Sequence, residues 1–111
     1  MSRHKYGARK TTVDGFTFDS KAEANRYQDL RLLERAGEIS GLSLQPSFAL
    51  LPSYKRNGKM VRAITYTADF MYTEDGRTVV EDVKGVETEV FRIKWKWAQY
   101  LYPDYDWRIV K

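Results

Sequence analysis

The sequence predicts an α/β layer sandwich: a helix, a three-stranded antiparallel meander, a second helix, and a short final strand completing a mixed sheet. Three observations predict it. Apolar residues recur at helical spacing in two stretches, one after Ser20 and one after Thr88. Between them lie strand-like segments punctuated by Asn57-Gly58 and Asp75-Gly76, dipeptides suited to tight hairpin turns. Beyond the second helical stretch, Pro103 blocks continuation and Asp106 to Val110 reads as a closing strand.

Residues 1–9 read as a flexible basic arm, and residues 10–111 as a single domain. Lys10 to Val13 and Phe16 to Phe18 flank Asp14-Gly15, which predicts a first hairpin. The first helix starts after Ser20 and ends at Gly37, a natural left-handed cap. Ala22, Tyr27, Leu30, Leu33 and Ala36 are its expected buried stripe. The first meander strand runs from about Leu42 to Lys55, with an edge position or a bulge expected at Pro46 and Pro52. The second spans Lys59 to Tyr72 and the third Arg77 to Lys84, where Gly85 breaks it. The second helix covers about Thr88 to Tyr102, with Val90, Phe91, Lys94, Trp95, Ala98 and Leu101 near one face.

Composition narrows the chemistry. The 111 residues contain no Cys and one His, so thiolate zinc sites, cysteine nucleophiles and histidine-rich metal centres are excluded. Catalysis must rest on carboxylates, lysines and hydroxyls. No apolar run suits a membrane helix and no signal peptide is visible, which predicts a cytoplasmic protein. Residues 1–10 and residues 53–65 each carry +4 with no acid, on a chain of net charge +4 and pI about 9.3. Two acid-free basic segments suggest a polyanionic partner; solubilising loops are the plainer alternative.

Turn chemistry sets the decisive register. With Asp75-Gly76 as a two-residue turn, Glu74 pairs with Arg77, and stepping outward sets Asp69 opposite Asp82 and Thr67 opposite Lys84. Opposed Cβ atoms stand about 4.5–5.5 Å apart, so both carboxylates can reach one cation. The alternative is a solvated sheet face, against which stand the apolar neighbours Ala68, Phe70, Val80 and Val83. Oxygen donors without histidine suit Mg²⁺ or Mn²⁺. Such an ion activates water and neutralises charge on a phosphodiester, while Lys84 can orient the water or stabilise the phosphate. Glu81 points to the other face and is expected to pair with a base. Glu23 has two readings: a reach towards the sheet, or a capping box with Ser20.

The segments Tyr66-Thr-Ala-Asp69-Phe and Glu81-Asp82-Val-Lys84-Gly resemble the PD-(D/E)xK nuclease motif, with Ala68 in place of the proline. Lys5-Tyr-Gly-Ala-Arg-Lys10, Phe18-Asp-Ser-Lys-Ala-Glu23, Leu44-Gln-Pro46, and Val83-Lys-Gly85 with Thr88, Phe91 and Lys94 are similar to a family of small phage proteins. That family is known as a domain of unknown function and described as endonuclease-like. The resemblance implies a restriction-endonuclease-like core, Mg²⁺-dependent DNA cleavage, and metal ligands Asp69, Asp82 and Glu23, the last by analogy with junction resolvases and transposon end-cleaving nucleases. It also implies a homodimer acting on DNA, branched DNA included. Gln45 joins the catalytic set as a matching glutamine does in related nucleases. The Asn57-Gly58 register, however, sets it opposite Phe70 on the wrong face unless a bulge at Pro52 shifts it by one. A non-catalytic DNA-binding module on the same fold is the alternative function.

Expected DNA contacts are Arg9 and Lys10 in the arm, Lys55, Arg56, Lys59 and Arg62 around the basic hairpin, and Lys94 and Lys96 on the second helix. Trp95 and Trp97 suit core and flank positions there better than base stacking.

Overall fold

The structure, a computed structural model, describes residues 10–111. The expected basic arm, and Arg9 with it, lies outside the described residues. Among the described residues the chain forms a mixed α/β fold with two helices. Three Asx-Gly dipeptides organise it. Asp14-Gly15, Asn57-Gly58 and Asp75-Gly76 all take positive φ at both residues, between 50° and 81°, the backbone of a type I′ hairpin turn. They join β1 (Thr11–Val13) to β2 (Phe16–Phe18), β5 (Tyr54–Arg56) to β6 (Lys59–Val61), and β8 (Phe70–Glu74) to β9 (Arg77–Val83).

The central sheet has the order β10-β9-β8-β3, with β3 at Ser40–Leu44 and β10 at Asp106–Val110. β10 runs parallel to β9 and the other neighbours are antiparallel, so the sheet is mixed as expected. Glu74 faces Arg77 and Phe70 faces Glu81, the register the Asp75-Gly76 turn dictates.

The meander departs from expectation because two of its strands are broken. The segment foreseen as one strand from Leu42 to Lys55 divides into β3, β4 (Ser47–Leu51) and β5. Its partner divides into β6, β7 (Ile64–Thr67) and β8. Pro46 and Pro52 have no N–H to give a ladder, and Gln45 takes a left-handed φ of 51°. β4 and β7 therefore pair as a separate ladder. Thr67 faces Ser47 there, not Lys84. Lys84 instead continues the parallel edge, its amide donating to the Val110 carbonyl at 2.9 Å.

Helix α1 (Lys21–Arg35) begins where Ser20 Oγ accepts from the Glu23 amide at 3.1 Å, and it ends before Gly37 at φ 78°. Its buried residues are Glu23, Ala24, Tyr27 and Leu30. Ala22 is exposed because it lies five residues before Tyr27, off the helical repeat, and Ala36 is exposed as the cap. Helix α2 (Glu89–Leu101) is capped by Thr88, whose Oγ1 accepts from the Phe91 amide at 3.1 Å. The helices cover opposite faces of the sheet. On the α1 side Phe18, Tyr27 and Leu30 pack with Phe70, Tyr72 and Val79. On the α2 side Phe48, Tyr66 and Val80 pack with Phe91 and Ala98, flanked by Trp95 and Trp97. Both tryptophans thus serve packing. Val90 and Leu101, expected on the buried face, are exposed at 62% and 41%. Among the described residues no helix is long and apolar enough to cross a membrane.

Candidate active site

The acidic residues meet where one ladder gives way to the next. The β3–β8 ladder ends at Leu44 and Phe70, and the β4–β7 ladder starts at Ser47 and Thr67. Gln45, Pro46, Ala68 and Asp69 form the joint. The Gln45 amide donates to the Asp69 carbonyl at 2.9 Å, and the Ala68 amide to the Pro46 carbonyl at 3.0 Å. This pairing puts Gln45 opposite Asp69, not Phe70. The one-residue shift that achieves it falls between Ala49 and Leu51, ahead of Pro52 where a bulge was expected. Gln45 is exposed and lines a cavity together with Glu23 and Asp69.

Asp69 is fixed by its backbone and its side chain. Its amide donates to the Glu81 carbonyl at 3.1 Å, and its Oδ2 accepts from the Val83 amide at 2.7 Å. Burial, then repulsion from Asp82, push its carboxyl up to about 8, against an ordinary 3.8; Asp82 is near enough to share the proton. The two carboxylates therefore crowd one another, although the β8–β9 ladder ends at Phe70 and Glu81 and Asp69 lies beyond its last pair.

Asp82 is 2% exposed. Its Oδ2 accepts from the Tyr66 hydroxyl, a buried contact from the α2 side. Burial and that bond to Asp82 hold the Tyr66 phenol well above its usual range. Lys84 Nζ stands 3.2 Å from Asp82 Oδ1, a charge contact without hydrogen-bond geometry, so this buried oxygen has no hydrogen-bond partner. The same ammonium lies 4.7 Å from the centroid of the Phe91 ring, a cation–π contact that fixes the lysine from below.

Glu23 is buried at the first turn of α1. Only half of the capping box forms: Ser20 Oγ takes the Glu23 amide, while the Glu23 carboxylate has no hydrogen-bond partner among the described residues. Burial, then repulsion from Asp19 and Asp82, raise its pKa, and Lys84 opposes the rise. Glu23 is thus within electrostatic reach of the pair. Among the described residues, however, no three acidic, histidine or cysteine side chains converge into a ready metal cage. The donor set still fits Mg²⁺. That ion needs only one or two carboxylates and keeps its remaining waters, and Asp82 supplies a buried oxygen without a hydrogen-bond partner beside Asp69, whose pKa is raised.

Glu81, fully buried on the α1 face, pairs with a base as expected. Arg26 grips both its oxygens, at 2.8 and 2.7 Å, and the Tyr72 hydroxyl adds a further bond. Of the expected DNA contacts, Lys10, Lys55, Arg56, Lys59 and Arg62 are exposed, four of them on or beside the β5–β6 hairpin. On α2, Lys96 is exposed, and half-buried Lys94 follows Phe91 by one turn. Sequence reasoning gives no role to Tyr66, although it opens the segment that ends in Asp69 and Phe70. Which face of β7 meets Asp82 depends on the ladder break, which the sequence does not mark.

Fold and site define a mixed α/β protein with an acidic cluster and one lysine at the joint of two ladders. Residues 3–111 match the family described as "Protein of unknown function (DUF1064)", and the chain belongs to that family. No curated protein and no solved structure matches it.

Proposed function

We propose that the protein is a Mg²⁺- or Mn²⁺-dependent endodeoxyribonuclease of the PD-(D/E)xK kind, built on a restriction-endonuclease-like core. The observation that carries the reading is the confrontation of Asp69 and Asp82, with Lys84 3.2 Å from Asp82. Asp69 and Asp82 hold the cation, and Glu23 adds negative charge at the rim. When bound, the cation lowers the pKa of water and offsets charge on the phosphate. Lys84, braced on Phe91, orients the water and donates to a phosphate oxygen. The water oxygen bonds to phosphorus, one P–O ester bond breaks, and the leaving oxygen takes up a proton. Gln45, at the open edge, fixes the strand by its amide.

DNA is the partner that the exposed β5–β6 basic residues favour, branched DNA being the form the resemblance suggests. A homodimer belongs to the same reading. Its favoured face is the exposed stripe of Val90, Ile93 and Tyr100 on α2.

Labelled junction, flap and linear DNA, incubated with Mg²⁺ or Mn²⁺, test the activity. Asp82→Asn is expected to bind DNA and to cut it at least about 10²–10³ times more slowly. Binding without cleavage by the wild type would favour a non-catalytic DNA-binding module, and equal cleavage by the variant would remove the mechanism.

A further inference from the structure

Two cavities lie side by side along α1 and share a wall. One, of about 270 Å³, holds Glu23, Gln45 and Asp69. The other, of about 390 Å³, is lined by Tyr27, Arg31 and Arg35. Phe16 and Leu44 line both, so the two cavities adjoin at these side chains. Phe16 is 48% exposed and rests edge-on against Tyr27, with centroids 5.8 Å apart. Such a ring offers an open face, which suits a stacked base.

The far end carries unspent positive charge. Arg31 gives one amino group to Glu34 at 2.7 Å, and the other Glu34 oxygen accepts from the Leu42 amide at 3.0 Å. Arg31 Nε has no hydrogen-bond partner but is itself buried, while the side chain as a whole is 38% exposed. Arg35 is exposed and forms no ion pair among the described residues. The acid on this wall, Asp14, accepts from the Tyr27 hydroxyl at 3.0 Å. Glu34 offsets part of the Arg31 charge, so Arg35 is the main anion-facing group, with the exposed part of the Arg31 guanidinium beside it. At the 1.5 Å rise of a helix, they stand about 12 and about 18 Å along α1 from Glu23.

We propose that the two cavities form one groove for an unpaired DNA strand leading away from the Asp69 site, with a base against Phe16 and phosphates at Arg31 and Arg35. The inference rests on the nuclease reading for what happens at the Asp69 end, but strand capture itself needs no catalysis. Duplex DNA does not suit the groove equally, because a paired base cannot lay its face on Phe16.

The test is fluorescence anisotropy in EDTA, with blunt duplex and the same duplex bearing a single-stranded extension. Wild type is expected to prefer the extended substrate by at least about fivefold, the low end of the roughly five- to 150-fold that one stacked base supplies. Phe16→Ala and Arg31→Gln/Arg35→Gln are each expected to abolish the preference and leave blunt-duplex affinity unchanged. The double variant should also flatten the salt dependence for the extended substrate by about 0.7 for each phosphate it no longer neutralises. Arg35→Gln, at an exposed position, guards against misfolding and should give half of that flattening. Equal wild-type affinity for both substrates, or a preference that survives the variants, overturns the proposal. Preference without any Mg²⁺- or Mn²⁺-dependent cleavage would refute the nuclease reading and leave the groove standing.

Discussion

The pKa of half-buried Asp69 is raised to about 8 by desolvation and by the nearby Asp82. Between about pH 4 and pH 8 the folded protein holds the Asp69 proton while the unfolded chain has released it, so metal-free stability falls as pH rises through that window. Thermal melts in EDTA should therefore decline by several degrees from pH 5 to pH 9, and Asp69→Asn should flatten the decline. An equally steep decline in the variant would place its cause elsewhere. Gln45 makes a second case. Its φ of 51° costs roughly 1–2 kcal/mol for a residue with a Cβ. Gln45→Gly should leave stability equal or higher while cleavage falls, whereas unchanged cleavage would mark the strain as merely structural. The nearness of the two aspartates was legible from the Asp75-Gly76 register, but not that the ladder ends at Phe70 and Glu81, leaving Asp69 bonded to Glu81 and Val83. The place of Gln45 was legible only in part: the need for a one-residue shift was visible, but Leu50 as its seat was not.

The elements are aligned by a clamp between α1 and β9. Arg26, one turn after Glu23, holds the fully buried Glu81, the neighbour of Asp82, through two bonds. The ion pair thereby aims the start of α1 at the joint of the ladders. Arg26→Met leaves the buried Glu81 carboxylate without its cation, held only by the Tyr72 hydroxyl, and should cost about 3–5 kcal/mol in urea denaturation. Adding Glu81→Leu should recover much of that loss; no recovery would mean that Arg26 acts through packing alone. That Glu81 would need a base could be read from strand alternation, but Arg26 could not be named, because it lies beside the buried stripe of Tyr27, Leu30 and Leu33 and not on it. Helices and turns were legible from spacing and Asx-Gly dipeptides. The division of two long strands was not, because Pro46 and Pro52 signal interruption without saying which partner each fragment takes.

Across the whole molecule, the exposed β5–β6 hairpin concentrates positive charge away from the acidic joint. Lys55→Gln/Arg56→Gln/Lys59→Gln should weaken duplex binding and lower the slope of log affinity against log salt by about 0.9 for each phosphate left unneutralised. An unchanged slope would assign the affinity to other residues. If a second copy covers the α2 stripe, Ile93→Lys should shift sedimentation from dimer to monomer with the melt unchanged. The central claim, that Asp69 and Asp82 together hold a divalent cation, is tested most directly by calorimetric titration of Mn²⁺ into the protein at pH 7. Run in buffers of differing ionisation heat, it should show binding with proton release in the wild type and neither in Asp82→Asn. Absence of binding in the wild type, or equal binding in the variant, would contradict the account.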